Sequence, residues 1–403
     1  MDPLRNPYTP NAGAQPPAVV GRDDQLETFE LLLHRMQAGR TEQSMIITGL
    51  RGVGKTVLLG RFLRKAQAQN WVVVDEEVSK HDETDFRRHI AAWMRTALFE
   101  LSPRSRWSDR LQRAAGVLKS FSLSVDPAGT LSAGIDVDAH VGLADAGDLS
   151  RDLTDLFVAV GEAAQSADRG VVLLFDEVQF LSKSQLEALI AALHKTVQRG
   201  LPVTMVGAGL PQIAELAGDA KSYAERLFKF PTIGNLDERD GRRALAEPAL
   251  AEGARFTDEA LDRALRITGG YPYFLQELGY AVWGIAEGTD ITADDVDAAV
   301  PIYTSKLDSS FFRVRLDRAT EMQRVYLRAM AELGSAPQKA ADVAEKMGRT
   351  SPQVAPTRAE LIAMGLLYTP EHGYAAFTVP HFDTFMMRAV PELEVPEVRR
   401  RRR

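Results

Sequence analysis

Eight consecutive residues, Gly49-Leu50-Arg51-Gly52-Val53-Gly54-Lys55-Thr56, place glycines, a lysine and a hydroxyl at the spacing G-x-x-x-x-G-K-[ST]. Glycines at 49, 52 and 54 let backbone N–H groups along Gly49, Arg51, Gly52, Val53 and Gly54 converge on phosphate oxygens, while Lys55 reaches the β- and γ-phosphates. The Thr56 hydroxyl is then suited to ligate Mg²⁺. About 120 residues on, Val171-Val172-Leu173-Leu174-Phe175 runs into Asp176-Glu177. Carboxylates at the mouth of so apolar a run are costly unless used: Asp176 to hold the metal, commonly through a water, and Glu177 to orient and polarise an attacking water. Each motif alone has a bland reading, a glycine-rich turn or acids capping a strand. Together they predict nucleoside triphosphate binding with Mg²⁺, and its hydrolysis.

The elements around these residues have the order that the chemistry needs. Ser44-Met45-Ile46-Ile47-Thr48 reads as a buried strand ahead of the glycine loop, and Thr56 to Lys65 as a helix behind it. Further strands are predicted at 71–76, 171–175, 202–207 and 228–232, separated by helical patterns. This is an α/β chain with a five-stranded parallel sheet whose ligands lie at the strands' C-terminal ends. Asp23 to Gln37, capped by Asp23 or Asp24, carries Leu26, Phe29, Leu32 and Leu33 on one helix face. A helix is expected at 83–101. Beyond it Phe121, Leu123 and Val125, a turn at Asp126-Pro127-Ala128-Gly129, and Leu131, Ala133, Ile135 and Val137 predict an inserted β-hairpin at about 119–139.

Four helical patterns near 237–248, 257–267, 271–286 and 292–307 predict an all-α lid over 236–310. The segment 311–390 reads as helices at 321–333, 341–347 and 352–364 followed by strands at 365–368 and 375–379, the winged helix-turn-helix plan. Its third helix carries or follows Arg349, Ser351, Gln353, Thr357 and Arg358. That modest polar set suits duplex DNA through residues 349–379, or a docking protein. The proline-rich residues 1–19 read as an extended arm, 20–235 as the nucleotide-binding domain and 391–403 as a basic tail.

Composition sets the class. The net charge of −7 argues against non-specific coating of nucleic acid, although residues 311–403 are net basic, chiefly through Arg399 to Arg403. The absence of cysteine excludes disulfides, cysteine-liganded zinc and thiol chemistry. Met1-Asp2-Pro3-Leu4-Arg5 lacks the apolar stretch of a signal peptide, and no run approaches the roughly 18 apolar residues of a membrane span. A soluble, cytoplasmic chain with no membrane partner is expected.

The chain as a whole resembles an AAA+-type ATPase of the group that joins origin-recognition-like initiators to the STAND and archaeal-type ATPases. The resemblance runs from Val20-Gly21-Arg22 through both nucleotide motifs to Gly269-Gly270-Tyr271-Pro272 and the terminal winged helix. It implies ATP rather than GTP, in keeping with the lack of an Asn-Lys-x-Asp segment. It implies that Val20, Gly21 and Arg22 lie beside adenine and ribose and that Pro272 starts a helix pressing the lid onto the nucleotide. It also implies a homo-oligomer or protein partner, with Arg226 a finger toward a neighbour's γ-phosphate; the plainer reading of Arg226 is a salt bridge with Glu225 or another helix neighbour. Arg51 is exposed by its place in the loop and could instead meet a partner. Two departures point to a slow switch: Thr268 to Tyr273 lacks the lid arginine of initiators, and Val206-Gly207-Ala208-Gly209 offers no polar side chain to place water. A non-hydrolysing nucleotide-sensing scaffold in a defence or signalling assembly is the alternative reading.

Overall fold

Uninterrupted runs of Val, Ile, Leu and Met can be buried on both faces only in a sheet covered by helices on each side. The computed structural model bears this out; it describes residues 1–11, 13–102, 107–126, 128–132 and 134–396. Strands β1 (Ser44–Thr48), β2 (Val72–Glu77), β3 (Val171–Asp176), β4 (Val203–Gly209) and β5 (Phe228–Lys229) form one sheet in the order β2-β3-β4-β1-β5. Every pair in it is parallel. The β5 strand is shorter than expected because Pro231 has no N–H to give the ladder; its carbonyl still accepts from Thr48 N–H at 2.9 Å.

The chain divides into two units, residues 22–49 with 55–233, and residues 1–21 with 50–54 and 234–403. In the first, helices α1 (Asp23–Gln37), α2 (Lys55–Ala68), α3 (Glu83–Leu101), α4 (Asp109–Leu123), α5 (Leu149–Ser166), α6 (Lys183–Gln198), α7 (Ile213–Ala220) and α8 (Ala224–Leu227) accompany the sheet. Asp23 and Asp24 lie in the first turn of α1, favouring its dipole, and make no side-chain cap; the cap position is Arg22.

The expected hairpin at 119–139 is not formed: residues 109–123 are helical, and no strand occurs among the described residues from 124 to 139. Phe121 fits both periods, as the start of the alternation and as the last of a helical series. Leu111, Ala114, Ala115, Leu118 and Phe121 recur at helical spacing, and burying them with α3 and α5 in one core outweighs the alternation from Phe121 onward. Ser108 caps the helix by accepting from Leu111 N–H. The turn itself is present, with Gly129 N–H donating to the Asp126 carbonyl at 2.9 Å, but Ile135 behind it joins the helical core instead of a strand. Pro127 and Ala133 lie outside the described residues. A buried ion pair, Arg87 to Asp152 at 2.9 Å, ties α3 to α5, and Asp152 also accepts from Ala146 and Gly147 N–H, which satisfies its lone pairs.

The second unit contains α9 (Glu238–Ala251), α10 (Asp258–Thr268), α11 (Pro272–Ile285) and α12 (Ala293–Lys306), with a short parallel pair β6 (Arg255–Phe256) and β7 (Asp290–Ile291). A π-helical turn, Leu307–Phe312, leads into α13 (Arg313–Leu316). Then come α14 (Glu321–Leu333), β8 (Gln338–Lys339), α15 (Ala340–Lys346), α16 (Ser351–Ala363), β9 (Leu367–Tyr368), β10 (Tyr374–Phe377) and α17 (Phe382–Ala389). The antiparallel sheet β8-β10-β9 with α14, α15 and α16 follows the order expected of a winged helix, β8 lying between α14 and α15. Rings from α11, the π turn and α17 join its core: Phe312 stacks on Phe385 at 5.1 Å and Phe274 meets Phe311 edge-on. The N-terminal arm carries one 3₁₀ turn, Pro3–Arg5, and lies on this unit's helices. The buried Tyr8 donates its hydroxyl to the Leu245 carbonyl at 2.6 Å, and its ring fills the space beside Gly279 that any side chain would occupy. The arginines at 399–403 lie outside the described residues.

Candidate functional site

The glycine loop joins β1 to α2, so the N-terminal turn of α2 directs its free N–H groups toward the loop. Gly52 and Gly54 have φ of 82° and 94°, a region that a side chain would strain, which is why the loop needs glycine there. Lys55 is buried and donates its ammonium to the Gly49 carbonyl at 3.0 Å. Gly49 N–H donates to Gly209 O at 3.1 Å, holding the loop's base to the end of β4.

The Thr56 hydroxyl donates to Asp176 Oδ2 at 2.5 Å across 120 residues of sequence. Asp176 is only 9% exposed, and its second oxygen accepts from Glu177 N–H at 2.8 Å. Burial lifts the Asp176 carboxyl above its usual range, against the pull of those two hydrogen bonds. Asp75 on β2 is raised too, by burial and then by the Asp176 charge. A hydroxyl beside a carboxylate, with a further acid close by, is a hard-oxygen donor set that fits a magnesium ion completed by phosphate and water. The described residues hold no group of three or more His, Cys, Asp or Glu side chains that could cage a metal by themselves.

Residues 18–206 match the family model of the AAA ATPase domain. This segment is an AAA-type P-loop domain. Residues 309–386 match a domain of unknown function, DUF8462. Among solved structures the chain is similar to the Aeropyrum pernix Orc1 protein in complex with DNA, at 13% identity and a TM-score of 0.46 over 95% of this chain and 96% of that one. It is similar to the Thermotoga maritima RuvB Holliday junction branch migration motor, at 14% identity and 0.45 over 93% and 96%. It is also similar to Cdc6p from Pyrobaculum aerophilum, at 14% identity and 0.45 over 97% and 98%. No curated protein sequence matches it.

Within the AAA domain Glu177 has φ of 54°, an uncommon conformation for a residue with a side chain. Its carboxylate accepts from the Gln179 amide nitrogen. The amide oxygen of Gln179 in turn accepts from Leu210 N–H at 3.0 Å, just past the end of β4. A Cβ on Gly209 would lie 2.8 Å from that oxygen, and one on Gly207 3.1 Å from Val178. The glycines of β4 therefore make room for Val178 and Gln179, and the polar group that β4 lacks comes from the neighbouring strand's exit. The only sequence signal for Gln179 was a polar residue two positions after the acidic pair; nothing there connected it to β4.

Arg226 is exposed on α8, its carbonyl accepting from Gln43, and no salt bridge to Glu225 is formed. Arg22 is buried at the cap of α1. In the second unit, Val20 is buried and Gly21 has φ of 66°, where a Cβ would lie 2.8 Å from Asp240 Oδ2. Pro272 opens α11, where its missing N–H costs nothing. The tip of the loop, residues 50–54, belongs with this unit: Tyr273 N–H donates to Gly52 O at 3.2 Å and Arg51 N–H to Thr378 O at 3.3 Å. In the winged helix Arg349 donates to the Pro396 carbonyl at 2.7 Å and Arg358 to the Tyr374 carbonyl at 2.5 Å. Gln353 is spent in a capping box with Thr350. Ser351 remains exposed and Thr357 half-buried. No described helix is long and apolar enough to cross a membrane.

Proposed function

We propose that the chain binds MgATP at Gly49–Thr56 and hydrolyses it slowly to ADP and phosphate, acting in the cytoplasm as a switch whose nucleotide state governs DNA binding or partner recruitment through the winged helix. The hydroxyl of Thr56 resting on the buried Asp176 carboxylate carries this reading, since two residues far apart in sequence form the oxygen pair that a nucleotide-bound magnesium requires. When bound, the metal would supply charge neutralisation at the phosphates. Lys55 and the loop N–H groups, with Val53 and Gly54 among them, orient the phosphates, and Thr56 and Asp176 hold the ion. Glu177 takes the proton of the attacking water and Arg226 reaches a neighbouring subunit's nucleotide. Val20, Gly21 and Arg22 serve the base and ribose, and Pro272 starts the helix that presses the lid on the nucleotide. Slow turnover follows from Gln179, whose amide engages the carboxylate that must accept the proton.

The internal hydrogen bonds of Arg349 and Arg358 favour a protein partner over duplex DNA at residues 349–379, since each guanidinium spends Nη2 on a backbone carbonyl. They support the second reading, a nucleotide-sensing scaffold in a defence or signalling assembly. Equilibrium binding and turnover on two variants test the site. Lys55→Ala is expected to weaken ATP binding by roughly a hundredfold, and Glu177→Gln to bind as wild type while losing at least about a hundredfold in turnover. Lys55→Ala protein that binds ATP normally would overturn the assignment.

A further inference from the structure

In the second unit, α12, the π turn with α13, and α17 enclose a groove of about 720 Å³. The buried Phe385 and the half-buried Val300 and Ala389 give it apolar walls. Ile302, Val314 and Met387 are 56%, 49% and 42% exposed, and each is next in sequence to a residue that lines the groove. One such side chain in water is ordinary. Three of them, one on each of the elements around a single apolar groove, mark a surface that is covered in use.

Charge along the groove selects what covers it. Arg388 of α17 forks onto Asp308 of the π turn, Nη2 to Oδ1 at 2.6 Å and Nε to Oδ2 at 3.1 Å, so that pair is neutral. Arg313 is exposed, stands 5.9 Å from the centroid of the Phe385 ring and has no carboxylate partner among the described residues. The lining thus carries one unbalanced positive charge on a chain of net charge −7. A phosphate backbone takes several Lys or Arg side by side, and two arginines, one of them neutralised, do not supply them. An amphipathic helix laid in a groove needs an apolar floor for its anchors and a fixed charge to set its register. We propose that the groove docks an acidic amphipathic helix of a partner protein, its apolar face on Phe385 and Val300 and a carboxylate on Arg313. This surface lies outside residues 349–379; the inference rests on the partner-recruitment reading alone, and nucleotide binding plays no part in it.

Fluorescence polarisation on the full chain tests it with two labelled peptides, one carrying Leu on one helical face and Glu elsewhere, the other the same with Lys for Glu. The acidic peptide is expected to bind at least about tenfold tighter than its basic twin, although the chain's net charge favours the basic one. Arg313→Glu should reverse that order. Met387→Glu, at an exposed position, should weaken the acidic peptide as well, and decides if Arg313→Glu fails to fold. Acidic peptide that binds no better than the basic one, or that binds both variants as it binds wild type, overturns the groove. Two results overturn it in favour of another occupant when neither peptide binds: duplex DNA held by wild type and lost in Arg313→Glu, or a dimer in sedimentation that Met387→Glu dissociates. ATP titration of the same preparations keeps the claims apart. Absent peptide binding with normal ATP binding strikes the groove alone, and selective peptide binding without ATP binding strikes the nucleotide site alone.

Discussion

Glu177 and Gln179 show how one hydrogen bond can set the speed of a site. The Gln179 amide donates to the carboxylate and accepts from Leu210 N–H, so the pair is held from both ends. Freeing a general base from such a donor raises its capacity to take a proton. Gln179→Leu is expected to raise steady-state ATP turnover by roughly threefold to tenfold at unchanged ATP affinity. It should also lower the melting temperature, since Leu210 N–H loses its acceptor at a cost of about 1–3 kcal/mol. A fall in turnover would instead make Gln179 the group that positions Glu177.

Between elements, Glu42 is a joint worth testing because it precedes β1 and pairs with both Arg35 of α1 at 2.7 Å and Lys229 of β5 at 3.0 Å. Partial burial opposes its charge, but the hydrogen bonds from Lys229 and Gln43 N–H and the two cations prevail, so its carboxyl titrates below the ordinary 4.5. A lowered folded value adds stability that is complete above the unfolded value and lost as pH falls through the folded one. Both cations are more than one-third exposed, so the contribution is about 1 kcal/mol or less. Glu42→Gln should therefore cost up to that amount at neutral pH and nothing in strongly acid solution, as read from urea unfolding across pH. An equal cost at every pH would assign the loss to packing.

For the whole molecule, the question is whether one copy suffices. Arg226 is exposed and its backbone carbonyl accepts from Gln43, which holds the backbone beneath the exposed cation. Turnover per molecule is expected to rise with protein concentration, and Arg226→Ala to lose roughly a hundredfold or more, as fingers supplied by a neighbour do. Mixing Arg226→Ala with Glu177→Gln should restore part of the activity, because one keeps the base and the other the finger. No recovery would confine Arg226 to its own subunit. Duplex DNA added to the same assay separates the two outputs: faster turnover favours a DNA-responsive switch, and indifference favours the protein scaffold.

Local chemistry made much of this chain legible in its sequence. The glycine spacing, the aliphatic run into Asp176-Glu177 and the Asp23–Gln37 periodicity are set by neighbours a few residues apart, and the elements they predict are present. The pairing of Thr56 with Asp176 followed from motif order, since parallel strands bring their C-terminal ends to one edge. Residues 119–139 misled because the alternation from Phe121 onward reads as strands, whereas Phe121 closes a helical series from Leu111, and only the core formed with α3 and α5 decides between them. Gln179 at the end of β4, the commitment of Arg349 and Arg358 to backbone carbonyls, and the groove shared by Val300, Arg313 and Phe385 all join residues far apart in the chain or across elements. No sequence period encodes such meetings; tertiary packing decided them, by choosing which buried donors share a space and which acceptors reach it.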